Sequence, residues 1–359
     1  MRPVAKVLFC DSGTTPGQGG WQISRGAFEG LKSLGVEAQL FPLSERLERG
    51  RRAFGGGPGV SDAALMDWAG AALAEEALQF RPDLLVAMKG TRISRRTLAA
   101  VRAAGIRTAA WTMDDPYELE RYLAWCDNFD VVFTNEPRCL GAYAACGAEA
   151  RLLAHAHDPA VHRPDPAAAG SPSYASDVCF IGAAYPERVR LIKAAAPFLA
   201  RVRTVLIGDW GAHRRDLPGV RILDGFAPEK EAARFYSGAK IALNIHRRPD
   251  ELAGEHFDHA ALGADGVNSR TFEIAGCGAF QLADAGRGEL ARHFEPGREL
   301  DTFSGEAELT AKLARWLADE SGRRAVAAAG RRRALAEHTY ARRMSGLLAA
   351  AAEKAEAAV

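Results

Sequence analysis

The chain lacks several features that would place it at once in a familiar class of proteins. Its 6 cysteines include no C-x-x-C pair, which argues against both a zinc site and a disulfide framework. The 46 basic and 45 acidic residues leave a formal net charge of +1, so composition gives no reason to expect nucleic acid or an anionic membrane as a partner. No apolar run reaches the roughly 20 residues of a membrane span, and no signal-peptide pattern opens the chain. These absences predict a cytoplasmic protein.

A dinucleotide fingerprint is also absent from the first half. The apolar run from Val4 to Cys10 predicts a buried strand, and a glycine-rich loop and a helix from about Gln22 to Leu34 follow it. The glycines of this loop do not fit G-x-G-x-x-G. The next strand, Val36 to Phe41, ends without the acidic residue that would bind an NAD ribose. The loop is therefore expected either to approach another ligand or to lie on the surface.

What the chain does contain is a strand and helix alternation that occurs twice. At 359 residues it is long for one hydrophobic core, so two domains are expected. A stretch rich in Pro, Ala and Ser near residues 160–175 has a linker composition, and a strand, loop and helix begin again at Asp177. The pattern predicts an α/β protein with two parallel sheets. The basic, glycine-rich segment from Arg49 to Gly59 is expected to be a loop.

The stretch GVNSRTFEIAGCGAFQL, from Gly266 to Leu282, carries the strongest functional signal. It predicts a loop, a short helix, a glycine break and a buried strand, with Asn268 as the helix cap. Arg270 and Glu273 are three residues apart and hence neighbours on one helical face. A cation and a carboxylate placed together suit a phosphate and a sugar hydroxyl, and the alternative is an ordinary solvated ion pair.

This stretch resembles the signature of the CgeB-like glycosyltransferases, a bacterial family of the GT-B type. Blocks in the same order agree with it in the second half, namely Asp177 to Gly182, Lys240 to His246 and Glu337 to Tyr340. The first half matches loosely, through WTMDDP at Trp111 to Pro116 and FTNE at Phe133 to Glu136.

The resemblance implies a GT-B fold, in which two Rossmann-like lobes with parallel sheets face each other across a cleft. Residues 1–160 would form the acceptor-side lobe and residues 176–335 the donor-side lobe, while residues 336–359 would form a helix that returns to the first lobe. The implied activity is transfer of a sugar from a nucleotide-diphosphate-sugar donor to an unidentified glycan, protein or small molecule. No metal or other cofactor is expected, and retention of configuration is the weaker half of the expectation.

The resemblance also implies roles for particular residues of the donor side. Arg270 is expected at the diphosphate, assisted by Asn268 and by the helix amides around Thr271. Glu273 is expected at the nucleotide ribose, because two carboxylate oxygens suit a vicinal diol. Its partner in an E-x7-E pattern falls eight residues earlier on Asp265, whose shorter side chain leaves that role open.

The remaining candidates each have two interpretations. Arg188, which follows the Gly182 loop, is expected to reach the same phosphates or to face solvent. Asp209 and Trp210 would frame the nucleoside base, although ordinary packing is the simpler role for a lone tryptophan. His246 would line the donor pocket. The candidates for the catalytic base or the acceptor site are Asp114, Asp115 and His155.

Simpler roles stay open for those candidates as well. The two aspartates would serve as a helix cap before Pro116, and His155 as a packed histidine. His256 and His259, with Glu255 and Asp258, superficially suggest a metal site, but H-x-x-H alone is weak evidence. The rival functions are a nucleotide-sugar epimerase or hydrolase on the same fold, and a non-catalytic protein that binds nucleotides or sugars.

Overall fold

The computed structural model describes residues 4–14, 19–54, 61–252 and 259–357. Its strands are Lys6–Cys10 (β1), Glu37–Phe41 (β2), Leu84–Met88 (β3), Arg107–Trp111 (β4), Val131–Thr134 (β5), Ala150–Leu152 (β6), Ser176–Ile181 (β7), Thr204–Gly208 (β8), Arg221–Asp224 (β9), Ala239–Asn244 (β10), Gln281–Asp284 (β11) and Asp301–Phe303 (β12). Its α-helices are Gly19–Lys32 (α1), Leu43–Ala53 (α2), Asp62–Phe80 (α3), Arg95–Ala103 (α4), Leu119–Leu123 (α5), Leu140–Ala145 (α6), Pro166–Gly170 (α7), Pro186–Leu199 (α8), Glu229–Gly238 (α9), His259–Leu262 (α10), Arg270–Gly276 (α11), Leu290–His293 (α12), Gly305–Ala318 (α13), Glu320–Glu337 (α14) and Tyr340–Ala357 (α15). Short 3-10 helices lie at Cys126–Asn128, Pro137–Cys139, Gly211–Asp216 and Pro249–Leu252.

The first compact unit comprises the described residues up to Ala154 together with Tyr340 and the residues after it. Its six strands form one sheet in the order β2-β1-β3-β4-β5-β6, and every neighbouring pair is parallel. Helix α15 lies against α1, where Gly26 and Gly30 leave room for it. A Cβ atom at Gly30 would come within 2.7 Å of the backbone of Ala341. The last helix is therefore an integral part of this unit.

The second compact unit runs from His155 to Thr339 in the described residues. Its six strands form a sheet in the order β12-β11-β10-β7-β8-β9, and again every neighbouring pair is parallel. The strands of a parallel sheet are covered by helices on both faces, which explains their nearly continuous apolar sequences. One face packs Val178, Phe180 and Leu243 against Leu313 and Trp316 of α13.

The predicted α/β class with two parallel sheets is confirmed. One local prediction is wrong, since residues 49–53 continue α2 instead of forming a loop. The buried residues Leu43, Leu47 and Gly50 have the spacing of one helical face, and this packing outweighs the loop-like composition. Residues 55–60 of that segment lie outside the described part. None of the helices in the described ranges combines the length and the hydropathy that crossing a membrane requires.

The predicted linker near residues 160–175 contains ordered structure in the second unit. Asp165 caps the short helix α7, since its Oδ1 accepts a hydrogen bond from the Ala167 amide at 3.0 Å. This segment also contributes Tyr174, whose ring stacks edge-on against Phe235 of α9 at 5.0 Å. The domain boundaries given above stay a prediction.

Candidate functional site

Most of the predicted donor residues follow the carboxyl ends of strands in the second sheet. Strands β7, β8, β10 and β11 end at Ile181, Gly208, Asn244 and Asp284. Ligands of open parallel sheets bind at such ends, because helix and loop termini converge there. The predicted residues at this edge are Gly182 after β7, Asp209 and Trp210 after β8, His246 after β10, and Asn268, Arg270, Thr271 and Glu273 at or near the start of α11.

The Arg270 side chain lies directly over the end of β7. Its Nη1 donates a hydrogen bond to the Ile181 carbonyl at 2.7 Å, and its guanidinium carbon is 5.9 Å from the centre of the Phe180 ring. Gly182 makes this position accessible, since a Cβ atom there would come within 2.3 Å of Arg270 Nη1. The Nε of Arg270 is buried without a hydrogen-bond partner among the described residues. The sequence predicted Gly182 and Arg270 separately, and the structure places them in contact.

A network of polar side chains fixes the start of α11 to two buried strands. Asn268 Oδ1 accepts a hydrogen bond from the Thr271 amide at 3.1 Å, as expected for a helix-capping side chain. Asn268 Nδ2 donates to Asn244 Oδ1 at 2.9 Å. Asn244 Nδ2 in turn donates to Thr271 Oγ1 at 2.9 Å and to Gln281 Oε1 at 3.0 Å. Because Asn244 and Gln281 are buried, this network holds Arg270 and its neighbours in a defined position.

Glu273 is half-buried on the same helix, and it forms no ion pair with Arg270 in the part of the chain that the structure describes. Burial raises the pKa of its carboxyl group, while Ser269 and the nearby charge of Arg270 act in the opposite direction. The solvated ion pair considered from the sequence is therefore not formed. Arg270 and Glu273 therefore stand as separate groups, Glu273 beside Ser269 and Arg270 beside the Ile181 carbonyl.

Arg188 is buried and holds two backbone segments together. Its Nε donates to the Ile245 carbonyl at 2.9 Å, and its Nη1 donates to the Ala183 carbonyl at 3.1 Å. The solvent-facing alternative is wrong, because only 3% of this residue is exposed. The position links the loop after β7 to the end of β10, next to Gly182 and hence next to Arg270.

Trp210 and Asp209 stabilise the loop that follows β8. The Trp210 indole is fully buried against Phe180 and donates its Nε1 hydrogen to the Gly182 carbonyl at 2.9 Å. The exposed Asp209 accepts a hydrogen bond from the Ala184 amide at 2.6 Å. Trp210 thus has the packing role that was considered from the sequence, and a role in framing a base stays a prediction for both residues.

His246 forms a pair with Asp284 that the sequence did not reveal. His246 Nδ1 and the His246 amide both lie 2.7 Å from Asp284 Oδ1, while His246 Nε2 is buried without a partner among the described residues. Burial lowers the pKa of His246. Burial alone would raise the pKa of Asp284, but the adjacent His246 outweighs it and brings that pKa to about 2. Asp284 was detectable in principle, since it follows a buried strand at the same edge as His246.

The His246–Asp284 pair lines a cavity of about 530 Å³ in the second unit. Arg247, Arg248 and Arg287 also line it together with Glu187 and Asp250, so its walls carry charges of both signs. Asp265, the predicted partner of Glu273 in the E-x7-E pattern, lies just beyond the lining residue Ala264. Its carbonyl accepts the Glu289 amide at 3.1 Å, and its carboxylate lies beside Gly288.

Asp115 in the first unit is deeply buried, and its Oδ2 accepts three hydroxyl hydrogen bonds. The donors are Thr134 at 2.5 Å, Thr112 at 2.7 Å and Tyr143 at 2.8 Å. Burial is the main reason that the pKa of Asp115 rises to about 6. The helix cap considered for it is not formed, since its Oδ1 has no partner among the described residues. A carboxyl group with this pKa can hold or release a proton near neutral pH.

The neighbouring Asp114 is partly exposed and pairs with Lys89. The distance from Asp114 Oδ2 to Lys89 Nζ is 2.5 Å, and 44% of the Asp114 side chain is exposed. Glu118 is a second carboxylate partner of the same lysine, at 3.5 Å. Of the two neighbouring aspartates, Asp114 and Asp115, Asp114 is therefore the accessible one.

Two further predictions concern histidines. His155 is buried at the beginning of the second unit, in agreement with the packed alternative, and its role towards an acceptor stays a prediction. His256, with Glu255 and Asp258, lies outside the described residues, and His259 is described only as the first residue of α10. Within the described ranges, no group of three or more His, Cys, Asp or Glu side chains is placed to hold a metal ion.

Known proteins similar to this chain point to one class of enzyme. A family model described as "Glycosyl transferase-like" matches residues 188–349. Spore protein CgeB of Bacillus subtilis (strain 168) is 29% identical over 268 residues, which cover 73% of this chain and 80% of that protein. Sucrose-phosphate synthase from Thermosynechococcus elongatus superposes with a TM-score of 0.65 at 13% identity, covering 98% of this chain and 99% of the other. Anabaena Alr3699/HepE in complex with UDP and glucose gives 0.62 at 13% identity, with 96% and 98% covered.

Proposed function

On the premise that this chain is a CgeB-like glycosyltransferase with the GT-B fold, we propose that it transfers a sugar from a nucleoside-diphosphate sugar to a hydroxyl-bearing acceptor. Similar folds have been solved with UDP, with UDP and glucose, and with UDP-glucose. Uridine nucleotides are therefore the first donors to test.

One observation carries the proposal, namely the position of the Arg270 guanidinium over the end of β7 without a carboxylate partner in the described part. As the bond from the sugar to the phosphate breaks, negative charge develops on the leaving diphosphate. A fixed guanidinium stabilises that charge without having to reorganise. Gly182 leaves room for Arg270 over the strand end, and the Asn268 network holds the start of α11.

Glu273 serves the nucleotide ribose in this proposal. Its carboxylate is close to Arg270 in sequence and free of an ion pair with it, so that diphosphate and ribose are recognised by different residues. His246 and Asp265 then face the sugar, with the unpartnered His246 Nε2 as a polar atom for a sugar hydroxyl. We also propose that the anomeric configuration of the sugar is retained. This part of the proposal rests on the partial E-x7-E resemblance.

The acceptor is assigned to the first unit. In the reaction a bond forms from an acceptor oxygen to the anomeric carbon, the bond to the phosphate oxygen breaks, and the acceptor proton needs a base. Asp114 is the more accessible carboxylate for that proton, and the hydrogen-bonded Asp115 positions the loop that carries it. Nucleic acid is not proposed as an acceptor. A cytoplasmic location fits the six free cysteines.

Donor binding is proposed to need no metal, since Arg270 already supplies positive charge for the diphosphate. Transfer from UDP-glucose and binding of UDP are both expected to be unchanged in about 5 mM EDTA, which removes divalent metal ions. Loss of UDP affinity in EDTA that Mg²⁺ or Mn²⁺ restores would contradict this expectation.

Calorimetry with uridine, UDP and UDP-glucose tests the two central residues. Arg270→Ala should weaken UDP and UDP-glucose by roughly 10- to 100-fold and uridine little, because a charge-assisted contact is worth about 1.5–3 kcal/mol. Glu273→Gln should weaken all three ligands, because each carries the ribose. Arg298→Ala is the matched control, since its side chain is 74% exposed.

The opposite pattern would count against these roles. If both variants unfolded at lower temperature while the relative affinities of uridine and UDP stayed constant, the two residues would be structural. Equal losses for all three ligands in Arg270→Ala would reject the diphosphate role alone.

A further inference from the structure

A second cavity, of about 510 Å³, lies at the other end of the second sheet. Ser176 and Ala239, the first residues of β7 and β10, line it together with one face of α14. Strand β7 runs from Ser176 to Ile181, the residue that contacts Arg270. Five residue steps of a parallel strand span roughly 16 Å. This basic cavity is therefore separate from the candidate site.

The face of α14 that lines the basic cavity has long side chains at its ends and short ones in the middle. Arg323 and Arg324 lie towards its beginning and Arg331 lies two turns later, with Ala327 and Ala328 between them. The three- and four-residue spacings put these positions on one side of the helix. The alanines leave space between the arginines, which is the arrangement that a bound molecule requires.

The charge of the cavity is strongly positive. Five cationic side chains line it against a single carboxylate, that of Glu320; the cations are those of Arg203, Lys240, Arg323, Arg324 and Arg331. Glu320 pairs with Arg324 at 2.6 Å, while Asp177 lies outside the lining and pairs with Lys240 at 2.7 Å and with Arg203 at 3.7 Å.

Two of the arginines have no carboxylate partner in the part of the chain that the structure describes. Arg323 donates from Nη1 to the Trp316 carbonyl at 2.6 Å, and only 7% of the residue is exposed. The Nε of Arg331 is buried without a hydrogen-bond partner among those residues. Buried cations are normally paired, so the buried Arg323, together with the unsatisfied Nε of the half-buried Arg331, indicates an anion that comes from outside the chain.

Ser176 provides an independent observation. The residue is 3% exposed, and its hydroxyl is buried without a partner among the described residues. Buried hydroxyls almost always form hydrogen bonds, and this one belongs to a residue that lines the basic cavity. A ligand oxygen would satisfy it.

We propose that the basic cavity binds the phosphate group of a small phosphomonoester. A phosphate dianion accepts several hydrogen bonds at once, which matches two guanidinium groups and a hydroxyl better than a carboxylate does. The volume admits a phosphorylated metabolite of the size of a sugar phosphate.

Titration of the full chain with inorganic phosphate and with glycerol 3-phosphate tests the proposal, at constant ionic strength set with chloride. Both probes should raise the melting temperature and bind measurably in calorimetry. Arg331→Met should weaken binding by at least about tenfold. Arg332→Met is the matched control, because Arg332 lies next in sequence, is exposed and does not line the cavity. Ser176→Ala should weaken binding by a smaller factor and keep the fold.

The candidate site contains another position where phosphate could bind, so Arg270→Ala is included. Phosphate binding that survives Arg270→Ala and is lost in Arg331→Met supports the basic cavity. Binding that is lost in Arg270→Ala and unchanged in Arg331→Met would overturn the proposal, since the phosphate would then occupy the donor site. Absence of any effect beyond that of chloride would overturn it as well. Tighter binding of glycerol 3-phosphate than of inorganic phosphate would identify the esterified form as the ligand.

Discussion

The two sheets have the same architecture, yet the polar residues that gather at their carboxyl ends differ. In the first unit, buried acids follow the strands, with Asp11 after β1, Asp115 after β4 and Glu136 after β5. In the second unit an acid, Asp284, also ends β11, but arginines lie at the same edge: Arg270 over the end of β7 and the buried Arg287 in the cavity beside β11. A Rossmann-like sheet determines where polar groups gather, whereas charge determines which ligand they attract.

The contrast also appears in two aspartates with opposite pKa shifts. Asp115 at the first sheet lies among hydroxyl groups without a cation, so burial dominates and raises its pKa to about 6. Asp284 at the second sheet lies beside His246 and Arg287, which bring its pKa down to about 2 in spite of burial. The first aspartate changes protonation near neutral pH inside its ring of hydroxyl donors. The second remains ionised and orients a histidine.

Asp115→Asn should produce the largest change in stability with pH. The raised pKa means that the contribution of Asp115 to stability is complete below its unfolded value of 3.8 and is lost as the pH rises through about 6. The loss amounts to about 3 kcal/mol in wild type, and the neutral variant should not show it. Urea unfolding of both proteins between pH 4 and 7.5 gives the difference.

The exposed Asp67 of α3 supplies the control for that experiment. Asp67→Asn should follow the wild-type curve at every pH. If the difference between Asp115→Asn and wild type were constant across this range, Asp115 would not titrate near neutrality, and the proposed contrast between the two edges would fail.

Asp284→Asn should have a smaller effect of the opposite sign. A lowered pKa means that Asp284 contributes stability above its unfolded value of 3.8 and loses it as the pH falls through about 2. The variant should be less stable than wild type by about 2 kcal/mol at neutral pH, with the difference shrinking towards pH 2. Thermal unfolding between pH 2 and 7 measures it.

Asp224→Asn is a suitable comparison for Asp284→Asn. Its carboxylate pairs with Arg214 at 2.5 Å, but 47% of the side chain is exposed, so a loss below about 1 kcal/mol is expected. Equal losses of unfolding free energy in the two variants would show that the buried His246–Asp284 pair stabilises the protein no more than an exposed pair does.

The sequence predicted the architecture because period and composition are local properties. The apolar runs that became β1, β7 and β10 were visible as such, and the signature stretch predicted a short helix capped by Asn268. The pairing of Asp284 with His246 and the hydrogen bond from Arg270 to Ile181 join residues 38 and 89 positions apart. Such contacts depend on the order of the strands in the sheet, which hydrophobic periodicity does not specify.

Composition misled in one segment and was silent in another. Arg49 to Ala53 were predicted as loop from their charge and the glycines beyond, but their neighbours Leu43 and Leu47 keep a buried helical face. The polar Asn244 within a buried strand was part of the family resemblance, yet it received no role. A polar side chain inside an otherwise apolar strand is a signal that could have identified the network around Asn268.

Asp114→Asn should have the smallest effect on stability and a large one on activity. The Lys89–Asp114 contact is short, but Asp114 is 44% exposed and Glu118 remains as a partner of Lys89, so the loss of stability should stay below about 1 kcal/mol. If Asp114 takes the acceptor proton, turnover should fall by roughly 10²- to 10⁴-fold while UDP binding is unchanged, because the donor residues lie in the second unit.

Glu118→Gln is the control, since it removes the other carboxylate partner of Lys89 and leaves Asp114 in place. Measuring the unfolding temperature, UDP affinity and turnover of both variants separates the two roles. A loss of stability of about 3 kcal/mol or more, as expected when a buried ion pair is broken, with turnover intact would make Asp114 a structural partner of Lys89. It would also remove the reason for assigning the acceptor to the acidic edge.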